Sequence, residues 1–257
     1  MKWIAAALLV VNAGAVELKP ATTAAFDRYI RETEQRLDEH KGQLWSDGAP
    51  DRARRVKGGE ILVQPFHEKA LIDIGDGLIH DWVGAAFLPG VTVEQTLRFV
   101  EDYDHAKEHF KPEVVDSRLL SHDGNHFRVF MRLLKKKVIT VVLDTEHDVQ
   151  YERIGDGKWR SASRTTRISE VENAGKPNEK VLPPGTGQGF LWRLNSYWRF
   201  EERDGGTWIE CQAVSLTRDV PTGLGWLIEP IIKTLPRDSL QNTLRATRDA
   251  LVSRAKQ

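Results

Sequence analysis

Residues 190–202 read Phe190-Leu191-Trp192-Arg193-Leu194-Asn195-Ser196-Tyr197-Trp198-Arg199-Phe200-Glu201-Glu202. Every second position is apolar or small: Phe190, Trp192, Leu194, Ser196, Trp198 and Phe200, with Arg193, Asn195 and Arg199 between them. A period of two is the signature of a strand with one face on a core. Downstream, Asp204-Gly205-Gly206 is turn chemistry, and Thr207 to Arg218 repeats the pattern with Ile209, Cys211, Ala213 and Ser215 on one face. Bulky aromatics on one strand beside small residues on the next leave space on that face.

Upstream, four more runs read as strands: Glu113 to Ser121, Asn125 to Leu134, Lys137 to Tyr151 and Trp159 to Val171. They are joined at His122-Asp123-Gly124-Asn125 and Gly155-Asp156-Gly157, links short enough to make consecutive strands antiparallel. A sheet of that length cannot bury its inner face alone. The cover is a helix predicted from about Arg237 to Ala255, behind Pro236, with Leu240, Leu244, Thr247 and Leu251 on one stripe. Before the series, Glu60 to Phe66 and Leu78 to Leu88 read as strands. Thr92-Val93-Glu94-Gln95 fits a capping box opening a helix with Val93, Leu97, Val100 and Tyr103 inward. At the N-terminal side, Thr22 to His40 predicts a surface helix with Phe26, Tyr29, Ile30, Thr33 and Leu37 on one stripe. A polar connector with Arg52, Arg54, Arg55 and Lys57, closed by Gly58-Gly59, follows and reads as a solvated linker.

Several separated motifs carry a family likeness. Gly77-Leu78-Ile79-His80-Asp81-Trp82-Val83-Gly84, Phe87-Leu88-Pro89-Gly90, Asp102-Tyr103-Asp104, Pro112-Glu113-Val114-Val115, Leu191 to Phe200, and Ser215-Leu216-Thr217-Arg218-Asp219-Val220-Pro221 come in the order found in START-like proteins. From Gly77 onward the chain resembles the polyketide cyclase and coenzyme Q-binding branches of the helix-grip (SRPBCC) superfamily. The resemblance implies an α+β helix-grip fold, a curved antiparallel sheet wrapped around a long C-terminal helix, here with an extra N-terminal helix. It also implies a cavity for a lipid, quinone, sterol or polyketide-like molecule. It does not name the ligand, because one fold hosts carriers, sensors and enzymes.

The residues expected at that cavity are Trp82, Tyr103, Trp192, Leu194, Trp198, Cys211 and Leu244. The stretch Pro221-Thr222-Gly223-Leu224-Gly225-Trp226-Leu227-Ile228 reads as an apolar surface connection. Gly223 supplies backbone freedom and Trp226 a membrane-interface contact, so the pair is expected to gate the cavity.

His105-Ala106-Lys107-Glu108-His109 matches the His-x-x-Glu-His pattern of inverted zinc peptidases, but Pro112 ends the segment and no third ligand follows, so no metal is expected. Pro183-Pro184-Gly185-Thr186-Gly187-Gln188-Gly189 lacks the lysine ending of a phosphate loop and leads into a strand. Cys211 lies mid-strand without a neighbouring histidine and reads as a small buried residue. Arg128, Arg132 and Arg164 read as outer sheet surface.

Composition bounds the rest. With 37 basic and 37 acidic residues, no net field draws the 257-residue chain to nucleic acid. One cysteine excludes an internal disulfide, so the fold stands on its core. Lys2, an apolar run of roughly ten residues and Ala13-Gly14-Ala15 have the layout of a cleaved signal peptide ending at residue 15. Export is therefore expected. The organisation expected is signal peptide 1–15, N-terminal helix and basic linker 16–58, and a START-like domain 59–257. The function expected is binding and carriage of a hydrophobic small molecule outside the cytoplasm, with transient membrane contact, no cofactor and no nucleic acid. An enzyme of the cyclase or dehydratase kind in the same cavity is the alternative.

Overall fold

The computed structural model describes residues 16–136, 140–219 and 225–255, with backbone alone over 225–233. Two helices come first, α1 (Pro20–Glu39) and α2 (Pro50–Lys57), then strands β1 (Leu62–Pro65), β2 (Leu71–Asp73) and β3 (Gly77–Pro89). Helices α3 (Val93–Val100) and α4 (Ala106–His109) lead into β4 (Val114–Asp123), β5 (His126–Lys136), β6 (Thr140–Gly155) and β7 (Lys158–Glu172). The short β8 (Lys180–Val181), then β9 (Arg193–Arg203), β10 (Gly206–Arg218) and the long α5 (Gly225–Ala255) complete the order.

The sheet is antiparallel and runs β1-β3-β10-β9-β7-β6-β5-β4, with β2 on β3 and β8 on β7. Strands β4 to β7, and β9 with β10, follow one another as the short links require, β9 pairs with β7, and the early strand β3 closes against the last, β10, over its whole length. The β9–β10 link is the two-residue turn Asp204-Gly205, both at positive φ (59° and 78°), a conformation that matches the twist of the paired strands. Thr92 caps α3 with both hydrogen bonds of the box in place.

The two faces of the sheet are dressed differently, and β3 and β10 show why. On the inner side Ile209 and Cys211 of β10, Ala86 and Leu88 of β3 and Leu240, Leu244 and Leu251 of α5 join one core cluster. On the outer side Phe26 and Ile30 of α1 pack with Ile79, Tyr197, Val214 and Leu216. Farther along that side Val56 of α2 packs with Ala85, Phe87 and Trp208. Strands covered twice need apolar side chains in both directions, so β3 is buried at every position from Gly77 to Leu88.

The segment read as a linker is thus part of the fold. Pro50 at the first position of α2 has no amide hydrogen to lose, and burying Val56 draws the basic run into a helix. Its cations are all occupied: Arg54 by Asp51, Arg55 by Glu60, Lys57 by Asp204, and Arg52 over the Trp45 ring. The C-terminal helix likewise departs from expectation. It begins at Gly225, not near Arg237, and carries Pro230 and Pro236 within its span. A proline ordinarily stops or kinks a helix, and along this helix it does not end it. Residues 225–228 of the expected surface connection are therefore helical backbone.

Candidate ligand cavity

Between the inner face of the sheet and α5 lies a cavity of about 350 Å3. The alternation of β9 supplies one wall. Leu194, Ser196, Trp198 and Phe200 all face it, and the neighbouring β10 contributes Cys211, Ala213, Ser215 and Thr217. Register explains the space: Cys211 stands opposite Trp198, and Ala213 opposite Ser196. Small residues beside an indole leave room that α5 does not fill. Ala213 and Trp198 are mid-strand in the middle of the sheet yet only partly buried, and the surface they retain faces the cavity.

Of the residues expected there, Tyr103, Leu194, Trp198 and Cys211 line the cavity. Trp82, Trp192 and Leu244 do not. Trp82 of β3 and Leu244 of α5 are on the inner side of the sheet, but both are packed into the core, Leu244 completely buried against β3 near Gly84. Trp192 lies on the other side of the sheet, packed with the residues under α1. The reason is local: β9 begins only at Arg193, and before it the alternation slips, so Leu191 turns to the cavity in place of Trp192. Gly223 lies outside the described residues. Trp226 opens the first turn of α5, and its side chain is likewise outside the description.

The cavity also holds polar groups the sequence reading passed over. His147 of β6 is buried, its Nε2 is 2.9 Å from Thr145 Oγ1 and its Nδ1 is 3.4 Å from Ser163 Oγ. Burial pushes its pKa down to about 4, so the ring is neutral at neutral pH. Four residues along the same strand, Tyr151 Oη is 2.9 Å from Tyr103 Oη. Burial raises both phenols above their ordinary value, so both keep their protons. Burial also pushes the Cys211 thiol up, so it stands in the wall as a protonated thiol. At one edge Lys135 joins Glu113 and Ser239, and Asn242 of α5 donates to Glu113. These bonds tie β4 and β5 to the helix over the cavity.

The competing motifs are engaged elsewhere. His105 Nδ1 is 2.7 Å from Asp102 Oδ1, while the His109 ring lies against Phe99 at 4.5 Å, so the two imidazoles share no centre. In the 183–189 loop the amides of Gln188 and Phe190 donate to the Glu170 carboxylate, and Val16 and Leu18 donate to Gly187 and Gly185. Arg128 pairs with Glu146, Arg132 with Asp144 and Glu179, and Arg164 with Glu34 of α1, so all three point away from the cavity.

A long antiparallel sheet, a terminal helix along its inner face and a cavity between the two define the architecture. This is a helix-grip fold. No family model matches the chain, and no curated protein matches it. Among solved structures it is similar to a STAR-related lipid transfer protein from Xanthomonas axonopodis, at 16% identity, 74% of this chain, 100% of that chain and a TM-score of 0.45. It is also similar to the Zhui aromatase/cyclase from a Streptomyces species, at 11% identity, 69% and 94% coverage and a TM-score of 0.46. Human STARD10 matches at 10% identity over 80% of each chain, with a TM-score of 0.44.

Proposed function

We propose that this helix-grip protein binds and carries one hydrophobic small molecule in the cavity between its sheet and α5. The observation that carries the reading is the wall at Trp198, Cys211 and Ala213: an apolar space in the middle of the sheet, where packing would otherwise close the core. The N-terminal apolar segment extends the proposal to work outside the cytoplasm, where a carrier shields an apolar molecule between membranes. Loading then involves brief contact with a membrane surface.

A second reading, an enzyme acting on the molecule in the same cavity, is favoured by one observation: His147 is a neutral imidazole beside a hydroxyl. The two are separated by titrating delipidated protein with a quinone, a fatty acid, a sterol and a phospholipid, following tryptophan fluorescence and Tm. Binding is expected to change the Trp198 emission and raise Tm, since the ligand stabilises only the folded state. Recovery of the ligand unchanged supports carriage, and its conversion supports the enzyme. No response to any of the four counts against both.

A further inference from the structure

The cavity's hydrogen atoms can be placed by counting. Thr145 Oγ1 is 2.9 Å from the carbonyl oxygen of Met131 on the adjacent strand. A carbonyl only accepts, so the single hydroxyl hydrogen of Thr145 is spent there. His147 Nε2, 2.9 Å from the same Oγ1, must then be the donor. A neutral imidazole has one N–H. It is on Nε2, and Nδ1 is left as a bare acceptor. Among the described residues the hydrogen-bonding contact of Nδ1 is the Ser163 hydroxyl at 3.4 Å, beyond the usual range of 2.7 to 3.2 Å for a good hydrogen bond. Both residues line the cavity.

The same count at Tyr151 gives the opposite result. Tyr103 Oη and Tyr151 Oη lie 2.9 Å apart on the cavity wall, and Ser161, also on the wall, stands opposite Tyr151 in the strand register. The two phenols hold two hydrogens, and the bond between them uses one. One O–H has no acceptor among the described residues and is free to donate. His147 and Tyr151 share the inner face of β6, four residues apart, or about 13 Å of strand at roughly 3.3 Å per residue. Val149, midway between them on the same strand, puts an apolar side chain in the gap.

We propose that the cavity selects an elongated apolar molecule with a hydroxyl at one end and a carbonyl at the other, the hydroxyl donating to His147 Nδ1 and the carbonyl accepting from the Tyr103–Tyr151 pair. This rests on the binding reading above and adds an orientation to it. A molecule with the two functions exchanged in place meets a lone pair with a lone pair at His147, and is disfavoured.

Rigid tetracyclic steroids supply the probes: a 3-hydroxy-17-ketone, its 3-methoxy ether, its 17-deoxo analogue, and the compound lacking both functions. For the delipidated wild-type protein, each single loss is expected to weaken binding about tenfold, the worth of one net hydrogen bond. In His147→Phe the hydroxy and methoxy compounds should bind alike while the ketone is still distinguished. In Tyr103→Phe the reverse is expected. Imidazole 15N spectra of the unmutated protein provide a reading that does not depend on any variant folding. They should show Nε2 protonated and Nδ1 bare, with the Nδ1 resonance moving on addition of the hydroxy-ketone and not of the ether. Equal binding of all four steroids, a protonated Nδ1, or undiminished discrimination in His147→Phe overturns the proposal. If no steroid binds while a fatty acid or quinone does, the proposal fails and the carrier reading stands. If no apolar molecule binds, both fail.

Discussion

Ala213 offers a substitution whose sign decides between a vacant cavity and a packed core. It sits on β10 between Cys211 and Ser215, opposite Ser196 on β9 and Trp82 on β3, with α5 above. Ala213→Leu adds three carbons at the wall. Where those carbons enter vacant apolar space, each contributes about 0.8 kcal/mol, or roughly 2 kcal/mol in all. For a chain of this size that raises Tm by about 4–8 °C. Where the wall is already packed, the same atoms force neighbours off their rotamers and cost about 1–3 kcal/mol. The assay is thermal unfolding of delipidated wild type and variant, followed by titration of each with an apolar ligand. The cavity account predicts a higher Tm and weakened binding together. A lower Tm with unchanged binding would refute it.

Other consequences are equally direct. A Cβ on Gly84 would lie 2.7 Å from Leu244 Cδ1 and 2.9 Å from Val63 Cγ2, so Gly84→Ala should cost about 1–3 kcal/mol in a urea titration; no change would mean that α5 does not press on β3 there. His80 and His147 have pKa values held down to about 4 by burial, against an ordinary value of 6.5. The unfolded chain therefore takes up protons first, and the stability each neutral ring contributes is lost as pH falls from about 6.5 to about 4, up to roughly 3 kcal/mol apiece. Buried Asp81 and Glu210, raised by burial, act in the opposite sense. The check is the difference between wild type and His147→Phe, whose stability should fall less steeply over that window; parallel curves would contradict it. Tyr29 Oη donates to buried Asp81 at 2.7 Å, and Tyr29→Phe should loosen α1 by about 1–3 kcal/mol, seen as faster amide exchange in α1. Unchanged exchange would show that the bond does not hold the helix.

The order of strands and the inner faces of β9 and β10 were legible because a half-buried strand has a period of two, and that period continues without a break from Leu194 to Phe200. Trp192 shows the limit: one residue before the strand the alternation has no backbone to enforce it. The double covering of β3 was hidden because a strand buried on both faces gives no period to assign. The basic helix α2 was hidden because four cations on eight residues look solvated until Val56 is seen beneath Ala85 and Phe87. The polar side of the cavity was harder still. Ser161 and Ser163 lie between Arg160 and Arg164, and His147 between Glu146 and Asp148, and sequence cannot distinguish a polar group facing a cavity from one facing water. Only the pairing of β5, β6 and β7 shows where their hydrogens go.

The central claim is that the space beneath α5 is occupied by an apolar molecule when the protein works. Native mass spectrometry of the protein as expressed, before and after organic extraction and reloading, tests it most directly. The account predicts a complex of one chain with one apolar molecule of a few hundred daltons, lost on extraction, restored by reloading and reduced in Ala213→Leu. The mass of the bare chain alone, both as expressed and after incubation with quinones, fatty acids, sterols and phospholipids, would contradict it.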